Sequence, residues 1–432
     1  MSAISITGAG VLQNATPAQL EQAVAQNHRE LFYLEALALG GEVRTTNGLV
    51  WTYGGAAASA AVAFPSMADN HAGALLDGMM EYFRAHPPNA VGCWSLAHPQ
   101  PADIGIRLLA RGFQPGWAPC WMALDLEEMN DKHPVPPGLQ IRADNHTDVQ
   151  QVKDLPYAID NGGAARALRR TYPDRIQRFI AYLDGQIVAH SSVLFTTGDY
   201  GVGGIYNVSV VPQARNRGIG KAITLAACRY AKERGYRYTV LNAAARHLYE
   251  LIGFKWINNG LTWWLVGNRY ITQPPSAGLV ALAEATGRGD TPALDKMGHL
   301  FTPADLNTPI TNGMTLVQLA VHCRQPASAD WLIAHGAGCS ALDAWDLGWK
   351  DRAAALLAAN AQEVNRLYDQ EQLTILHTAA QRNDIELARL ALAAKPDLRI
   401  KDTMHGGTPL DWAEYFRRPE ITALIKANDR RH

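Results

Sequence analysis

A basic, glycine-containing turn in the middle of the chain has the residue types needed to bind an anion. It follows a β-branched run at 205–211 and precedes the apolar periodicity of a helix. Glycine leaves backbone N–H groups accessible at a helix start, where the helix dipole favours negative charge, and basic side chains add to that field. The residues that carry this property are Arg215, Arg217, Gly218, Gly220 and Lys221. We therefore expect a strand, an anion-binding turn and a helix, with room for a pyrophosphate.

The same stretch resembles a known cofactor motif. The pattern V-x-P-x-x-R-x-x-G-x-G, with its arginine at Arg215 or Arg217, is similar to the acyl-coenzyme A motif of the GNAT N-acetyltransferase superfamily. Further along, Asn242 and the segment Leu248-Tyr249-Glu250-x-x-Gly253-Phe254 resemble the second signature of that family. Neither a Walker-type Gly-Lys-Ser/Thr ending nor a dinucleotide G-x-G-x-x-G is present. The two linked signatures favour acetyl-CoA as co-substrate.

The resemblance implies a role for each part of the motif. The strand before the turn would pair with pantetheine through its backbone edge, and the helix start would hold the pyrophosphate. The edge residues would be Val208, Ser209, Val210 and Val211, and the pyrophosphate amides those of Arg217, Gly218, Ile219, Gly220 and Lys221. Tyr249 would protonate the departing thiolate, since a phenol with a pKa of about 10 stays protonated at neutral pH, or would only pack its helix. Asn242 would hold the cofactor arm or merely cap its strand.

The residue that accepts the amine proton is less clear from the sequence. Acetyl transfer requires a polarised thioester, a neutral amine and a proton for the thiolate. Many family members place a carboxylate on the strand before the motif, but 205–211 contains none. His190, on the preceding strand, has a suitable intrinsic pKa. It is the predicted catalytic base, alongside two alternatives, a hydrogen-bonded structural histidine and an ordered water chain.

Composition limits the other functional classes. The chain has 432 residues, 47% apolar residues and a formal net charge of -1, so any anion site must be local. Five scattered cysteines without C-x-x-C spacing predict reduced thiols and no metal site. The N-terminal sequence lacks the pattern of a signal peptide, and no apolar run reaches membrane-spanning length. We expect a cytoplasmic protein that binds neither membranes nor nucleic acids.

The first part of the chain, residues 1–134, resembles a degenerate GNAT unit. The run IRLLARGF, followed by a strand ending in CWMALDL, is similar to the closing part of such a domain. At the cofactor position, however, the arginine-glycine pattern is missing and Asp69 stands at the predicted helix start. A helix and sheet domain of other ancestry is the alternative. A polar, Pro-rich linker at 127–138 separates this unit from the catalytic GNAT domain, residues 135–272.

Residues 276–432 change to alanine- and leucine-rich helices separated by polar turns. The motifs that begin at Leu373 and Gly407 are offset by about 34 residues, the ankyrin period. The predicted fold is thus α/β (α+β), with tandem GNAT-like domains of mixed, mainly antiparallel sheets followed by an all-α ankyrin-repeat solenoid. Such an array buries its apolar faces between neighbouring repeats and leaves an extended concave surface.

The expected activity is acetyl-CoA-dependent N-acetylation of the primary amine of a small molecule such as an amino acid, a metabolite or an amine antibiotic. One alternative is a protein N-acetyltransferase that recruits its substrate as a protein partner through the ankyrin repeats. Another is a non-enzymatic ankyrin adaptor that senses CoA.

Overall fold

The computed structural model describes residues 10–267, 271–360, 362–368 and 372–429. It divides into two compact units, Met1–Pro274 and Pro275–His432, each described by itself below. The first nine residues, on which part of the signal-peptide argument falls, lie outside the described residues. Within the described residues, no helix combines the length and apolarity that a bilayer crossing requires.

The first unit is built on one twelve-stranded mixed sheet with the order β1-β2-β3-β4-β12-β6-β11-β10-β9-β8-β7, and β5 pairs with β12 beside this path. Among the described strands, β3 with β4 and β10 with β11 are parallel, and the other pairings are antiparallel. The strands are β1 (Glu42–Thr46), β2 (Leu49–Tyr53), β3 (Ala60–Ala63), β4 (Ala90–Leu96), β5 (Gln114–Pro115), β6 (Cys120–Asp125), β7 (Leu139–Ala143), β8 (Ile176–Leu183), β9 (Gln186–Phe195), β10 (Gly203–Val210), β11 (Tyr238–Asn242) and β12 (Lys255–Val266).

Helices accompany this sheet along its length. In the described part of the unit they are α1 (Pro17–Ala38), α2 (Asp69–Ala85), α3 (Ile104–Ala110), α4 (Ala164–Thr171), α5 (Ile219–Glu233) and α6 (Arg246–Glu250). The helix α1 begins at a capping box in which Thr16 and Gln19 satisfy each other's backbone N–H groups. The dipeptide Asp184-Gly185 predicts a tight hairpin turn from the sequence, and it joins β8 to β9 with both residues at positive φ, as such a turn requires.

One large apolar cluster of the first unit lies under α5. Its side chains Ile219, Ile223 and Ala227 pack against residues of β8 and β9, including Phe179 and Val193. All five are buried. Burial of this helix face fixes the start of α5 at the end of β10, and so fixes the position of the basic turn.

The two halves of the sheet exchange their last strands. β6, which precedes the linker, pairs with β11 and with the first part of β12, all of which follow it. The second part of β12 instead pairs with β4, opposing Gly260 to Leu96 and Val266 to Ala90. Each half is therefore completed by a strand from the other half. The domain boundary predicted near residue 134 stays a prediction, because this exchange joins both halves in one compact unit.

Two local predictions from the residue pattern were wrong. The sequence predicts a helix at 146–154, but this segment forms turns, because Asp144 accepts hydrogen bonds from the backbone N–H groups of His146 and Thr147. The sequence also predicts separate strands at 254–257 and 261–266, which instead form one strand, β12, with a bulge between Trp256 and Asn258. The bulge lets a single strand serve both halves of the sheet.

The second unit is helical and shows a regular start signal. Ser340, Thr374 and Thr408, which are evenly spaced along the chain, each form a capping box that begins a helix. The helices described are Ala277–Arg288, Thr291–Gly298, Pro303–Leu306, Leu316–His322, Pro326–Ala334, Ala341–Asp346, Lys350–Ala359, Ile375–Arg382, Ile385–Ala393, Pro409–Tyr415 and Pro419–Asp429. The helical character expected for this region is confirmed.

Candidate active site

An open edge follows the point where β10 and β11 part. Their parallel pairing covers only three positions and ends at Ile205 opposite Leu241. Immediately beyond, β10 has a bulge against β9 at which Asn207 adopts a φ of 55°. The next residues of β10 stay paired with β9 but have no partner on the β11 side among the described strands. Except for the Val210 carbonyl, which accepts from Arg215, this unpaired side leaves a wedge that an extended ligand can enter as though it were another strand.

The residues predicted to form the pantetheine edge lie along this wedge. Val208 and Val210 are partly buried, whereas Ser209 and Val211 are buried. The Ser209 hydroxyl oxygen is buried and has no hydrogen-bond partner among the described residues. A buried hydroxyl without a partner is costly.

The basic turn leaves the first amides of α5 free. Gly218 precedes the helix at a φ of 80°, no described side chain caps the helix start, and its first turn contains no acidic residue. The first N–H groups of a helix have no partner inside it. Arg217 is exposed, and Arg215 donates from Nε to the Val210 carbonyl at 3.2 Å. Free amides, positive charge and the helix dipole together make this a suitable site for a pyrophosphate.

A segment of the linker crosses near this helix start. Lys221 Nζ lies 3.5 Å from His133 Nδ1, and His133 Nε2 lies 3.1 Å from the Leu251 carbonyl oxygen. The His133 ring therefore joins the start of α5 to the end of α6. Lys221 reaches the linker in this structure, so its amide rather than its ammonium group is the part free to meet an anion.

The equivalent position in the first half of the sheet is closed. Beyond the last residue of β3, Phe64 donates a backbone hydrogen bond to Trp94 at 2.8 Å, and Met67 donates one to Gln100 at 3.0 Å. These bonds keep the chain beyond β3 attached to the chain beyond β4. At the start of α2, Asp69 is paired with Arg107 at 2.5 Å. The acidic group and the closed strands do not suit a pyrophosphate and pantetheine.

A cavity of about 260 Å³ lies beside the bulge of β10. Its wall includes Asn207 of the bulge, Ser192 of β9 and Tyr157 from the loop before α4. Side chains of α1 and of β2 and β3 from the first half complete it, among them Phe32 and Thr52. Both halves of the first unit therefore contribute to one cavity at the end of the wedge.

Two carboxylates line this cavity and differ in their partners. Asp160 accepts backbone hydrogen bonds from Ala165 at 3.0 Å and Arg166 at 2.8 Å, which anchors the start of α4. Glu35 of α1 has no side-chain hydrogen bond or ion pair among the described residues. Burial, reinforced by the nearby Asp160 and opposed by Arg169, raises the pKa of Glu35 to about 7.

Two guanidinium groups line the same cavity. Arg178 of β8 donates to the backbone carbonyls of Asp144, at 2.9 Å, and of Thr147, and burial lowers its pKa to about 10. Arg169 of α4 forms no hydrogen bond or ion pair with any described residue, and its Nε is buried. Burial also lowers the pKa of Arg169, although this group stays charged at neutral pH.

His190, the predicted base, also lines the cavity and is buried. Its Nε2 lies 2.9 Å from the Pro156 carbonyl and donates to it, which leaves Nδ1 as the acceptor of the neutral ring. Burial is the main cause of its lowered pKa, and Arg178 and Arg169 act in the same direction. The ring is therefore neutral at pH 7 and is held as a hydrogen-bonded structural histidine would be.

Tyr249 and Asn242, the remaining predicted site residues, lie on α6 and at the end of β11. Burial raises the pKa of Tyr249 to about 12, so its phenol remains protonated, and no described residue bonds to its hydroxyl. Tyr157 of the cavity wall is close enough to contribute to that shift. Asn242 Oδ1 accepts from the Cys120 backbone N–H at 3.0 Å. This contact ties β11 to β6, as the strand-capping alternative predicted.

Sequence reasoning missed Glu35 and Arg169. Glu35 lies in a helix whose apolar periodicity, with Leu31 and Leu34, predicts only a packing face. Arg169 lies in a short basic run that is typical of a solvated helix face. The one available signal was a glutamate adjoining the apolar face of α1. No group of three or more metal-ligating side chains occurs among the described residues.

The part of the chain that contains the wedge matches a known family. Residues 140–254 match the family Acetyltransferase (GNAT). A mycothiol acetyltransferase of Amycolatopsis mediterranei is 37% identical over 97 residues, which covers 20% of this chain and 32% of the relative. A mycothiol acetyltransferase of Rhodococcus opacus is 37% identical over 59 residues, which covers 12% and 19%. The chain thus spans between about a fifth and a third of the length of these curated relatives.

Two solved structures are also similar. A GCN5-related N-acetyltransferase from Kribbella flavida has 15% sequence identity and a TM-score of 0.44, covering 56% of this chain and 95% of that chain. A tandem GNAT protein from the clavulanic acid biosynthesis pathway has 19% identity and a TM-score of 0.38, covering 50% and 78%. Residues 140–254 of this chain are thus similar to the GNAT acetyltransferase family.

Proposed function

We propose that the chain is an N-acetyltransferase that transfers the acetyl group of acetyl-CoA to the primary amine of a small molecule. One observation carries this proposal: β10 parts from β11 at the bulge, beside an uncapped basic helix start and next to a cavity. The cavity, at about 260 Å³, is small compared with typical ligand pockets of about 300–1,000 Å³. The names of the related acetyltransferases support the same reaction class.

Each part of the wedge has a proposed task. The amides of residues 217–221 bind the pyrophosphate, and the free edge of 208–211 pairs with pantetheine. Asn242 Oδ1 already accepts from the Cys120 backbone N–H, so Asn242 contacts the cofactor arm through its amide nitrogen. Tyr249 donates its proton to the leaving thiolate. These groups position the thioester at the bulge, where the amine arrives from the cavity.

For the second unit we propose an ankyrin-type array. Its capping boxes recur at one constant spacing, and His377 Nε2 donates to the Gly407 carbonyl at 3.1 Å, which joins one repeat to the turn before the next. A solenoid of this kind either stabilises its neighbours or recruits a protein. In the second case the acceptor would be a protein lysine or N-terminus rather than a free amine.

The proposed function is tested by binding and turnover of the full chain. Calorimetric titration with acetyl-CoA should show binding that Arg217→Glu abolishes, whereas the exposed Arg84→Ala on α2 is the matched control. Thiol release should then occur with free amines from a small-molecule library. If acetyl-CoA binds but no CoA thiol is released in the presence of any free amine or lysine peptide, the non-enzymatic adaptor remains. Release of CoA thiol with peptides alone would favour the enzyme that recruits a protein substrate. Absence of acetyl-CoA binding would refute the proposal.

A further inference from the structure

We infer that the acceptor carries a carboxylate as well as an amine, with the amine at Glu35 and the carboxylate at Arg169. The inference rests on the proposed acetyl transfer and specifies its substrate class as amino acids and related amino carboxylates. Both side chains line the cavity beside the bulge of β10. They belong to helices that pack against each other, α1 and α4.

Arg169 has a buried polar atom that no described residue satisfies. Its guanidinium lines the cavity, and its Nε is buried without a partner among the described residues. Nearly all buried polar groups in proteins are hydrogen-bonded, so such an exception requires an explanation. A guanidinium binds carboxylates through paired hydrogen bonds. A ligand carboxylate in the cavity would therefore supply the ion-pair partner that no described residue gives to Arg169.

Glu35 is the carboxylate left over in the same cavity. Its side chain lines the cavity and forms no hydrogen bond or ion pair with the described residues, Arg169 included. Two opposite charges in one cavity that do not pair directly leave space for a ligand between them. An ammonium group would hydrogen-bond to this carboxylate. A zwitterionic ligand satisfies both residues, whereas a plain amine satisfies only Glu35.

The other charged groups of the cavity are already satisfied. Asp160 anchors the amides of α4, and Arg178 donates to two backbone carbonyls. His190 donates to the Pro156 carbonyl. Because these three groups have partners within the protein, Glu35 and Arg169 are the two charged residues of the cavity that can bind a ligand.

The arrangement also accounts for the protons of the reaction. The bound ammonium gives one proton to Glu35, and the neutral nitrogen attacks the thioester carbonyl carbon. A C–N bond forms and the C–S bond breaks. The nitrogen releases its second proton to solvent, and the thiolate gains a proton from Tyr249, which takes one back from solvent. The products are the N-acetyl compound, CoA thiol and one proton, which Glu35 releases to solvent.

The test compares three forms of each common α-amino acid: the free acid, its carboxamide and the amine left by decarboxylation. The free acids should be turned over with the lowest KM. In Arg169→Met the KM of the free acids should rise roughly 10- to 100-fold, since a charge-assisted bond is lost. The KM of carboxamides and amines should change less than about threefold. The exposed neighbour Arg170 provides the control variant Arg170→Ala, with all KM values unchanged.

Binding measurements keep the inference separate from the proposed chemistry. Calorimetric titration of the CoA-saturated chain with the same acids requires no turnover. Binding that needs the carboxylate and is lost in Arg169→Met, while Arg169→Lys retains part of it, supports the inference. Equal binding of acids and carboxamides, or no binding of any free acid, overturns it. Melting curves of Arg169→Met establish that the variant is folded.

Discussion

Asp69, the first residue of α2, forms an ion pair with Arg107 of α3 at 2.5 Å. Arg107 is nearly buried and is also paired with Asp103 at 2.8 Å. The start of α2 thus already has an anion of its own, at the position that corresponds to the open start of α5 in the second half. The start of α2 is therefore acidic, whereas the start of α5 is basic, although each follows a strand of the same sheet.

This arrangement predicts that each chain binds one acetyl-CoA. Calorimetry should give a stoichiometry of one, because of the two corresponding positions only that at β10 and the start of α5 is open. Asp69→Asn should not add a second site, since the backbone bonds from Phe64 and Met67 keep β3 and β4 closed. A stoichiometry of two in either protein would contradict this prediction.

Tyr249→Phe should lower kcat and leave acetyl-CoA binding nearly unchanged. Loss of a general acid typically costs roughly 10²-fold or more in rate, whereas the ring would keep its edge-to-face contact with Phe254. Steady-state thiol release and calorimetry measure the two effects. Tyr236→Phe is the control, because Tyr236 is also buried and its hydroxyl has no partner among the described residues. Equal effects of both variants would argue against an acid role for Tyr249.

We expect kcat/KM to increase as the pH rises past about 7, because the fraction of ionised Glu35 increases over this range. Its pKa is raised to about 7 mainly by burial, and a base acts only when deprotonated. The charged or titratable groups around it are Asp160, Arg169, Arg178, His190, Tyr157 and Tyr206. His190 has a lowered pKa and is already neutral in this range. The pH profile of kcat/KM should lose this step in Glu35→Gln, and a retained step would assign it to another group.

The same shift has a consequence for stability. Since the folded pKa of Glu35 exceeds its ordinary value near 4.5, the folded state binds more protons than the unfolded state between these limits. The contribution of Glu35 to the free energy of unfolding should therefore decrease as the pH rises from about 4.5 to 7. Urea unfolding at pH 5 and pH 8 should show a smaller difference in Glu35→Gln than in the native chain. An unchanged difference would contradict the raised pKa.

Gly260 lies where β12 passes from β6 to β4, and a larger residue there should destabilise the first unit. A Cβ at this position would lie 2.6 Å from Trp121 Nε1 and 2.7 Å from the Ser95 carbonyl oxygen. We expect Gly260→Ala to cost about 1–3 kcal/mol in unfolding free energy. Gly78→Ala in α2, where nothing described lies within 4 Å, should instead stabilise by about 0.5–1 kcal/mol. A neutral Gly260→Ala would show that the crossing point tolerates movement.

The predictable features were those encoded locally. The alternation of Ile205 to Val211, the glycines of the turn and the Asp184-Gly185 hairpin specify short-range structure, and these elements formed as expected. The cavity could not be predicted, because its wall combines α1 with α4 and β8 to β10, whose proximity depends on tertiary packing. Glu35 became a candidate only when burial and the neighbouring Asp160 were visible.

The exchange of β6 and β12 also determines when the chain can finish folding during synthesis. β4 pairs with the segment 260–266, so everything between these two strands must leave the ribosome before that partner exists. Until then the edge of β4 is unpaired, and β6 also stays without neighbours until β11 and residues 255–259 have been synthesised. A nascent chain that stalls before Gly260 would thus expose aggregation-prone edges that chaperones recognise, rather than release a finished first half.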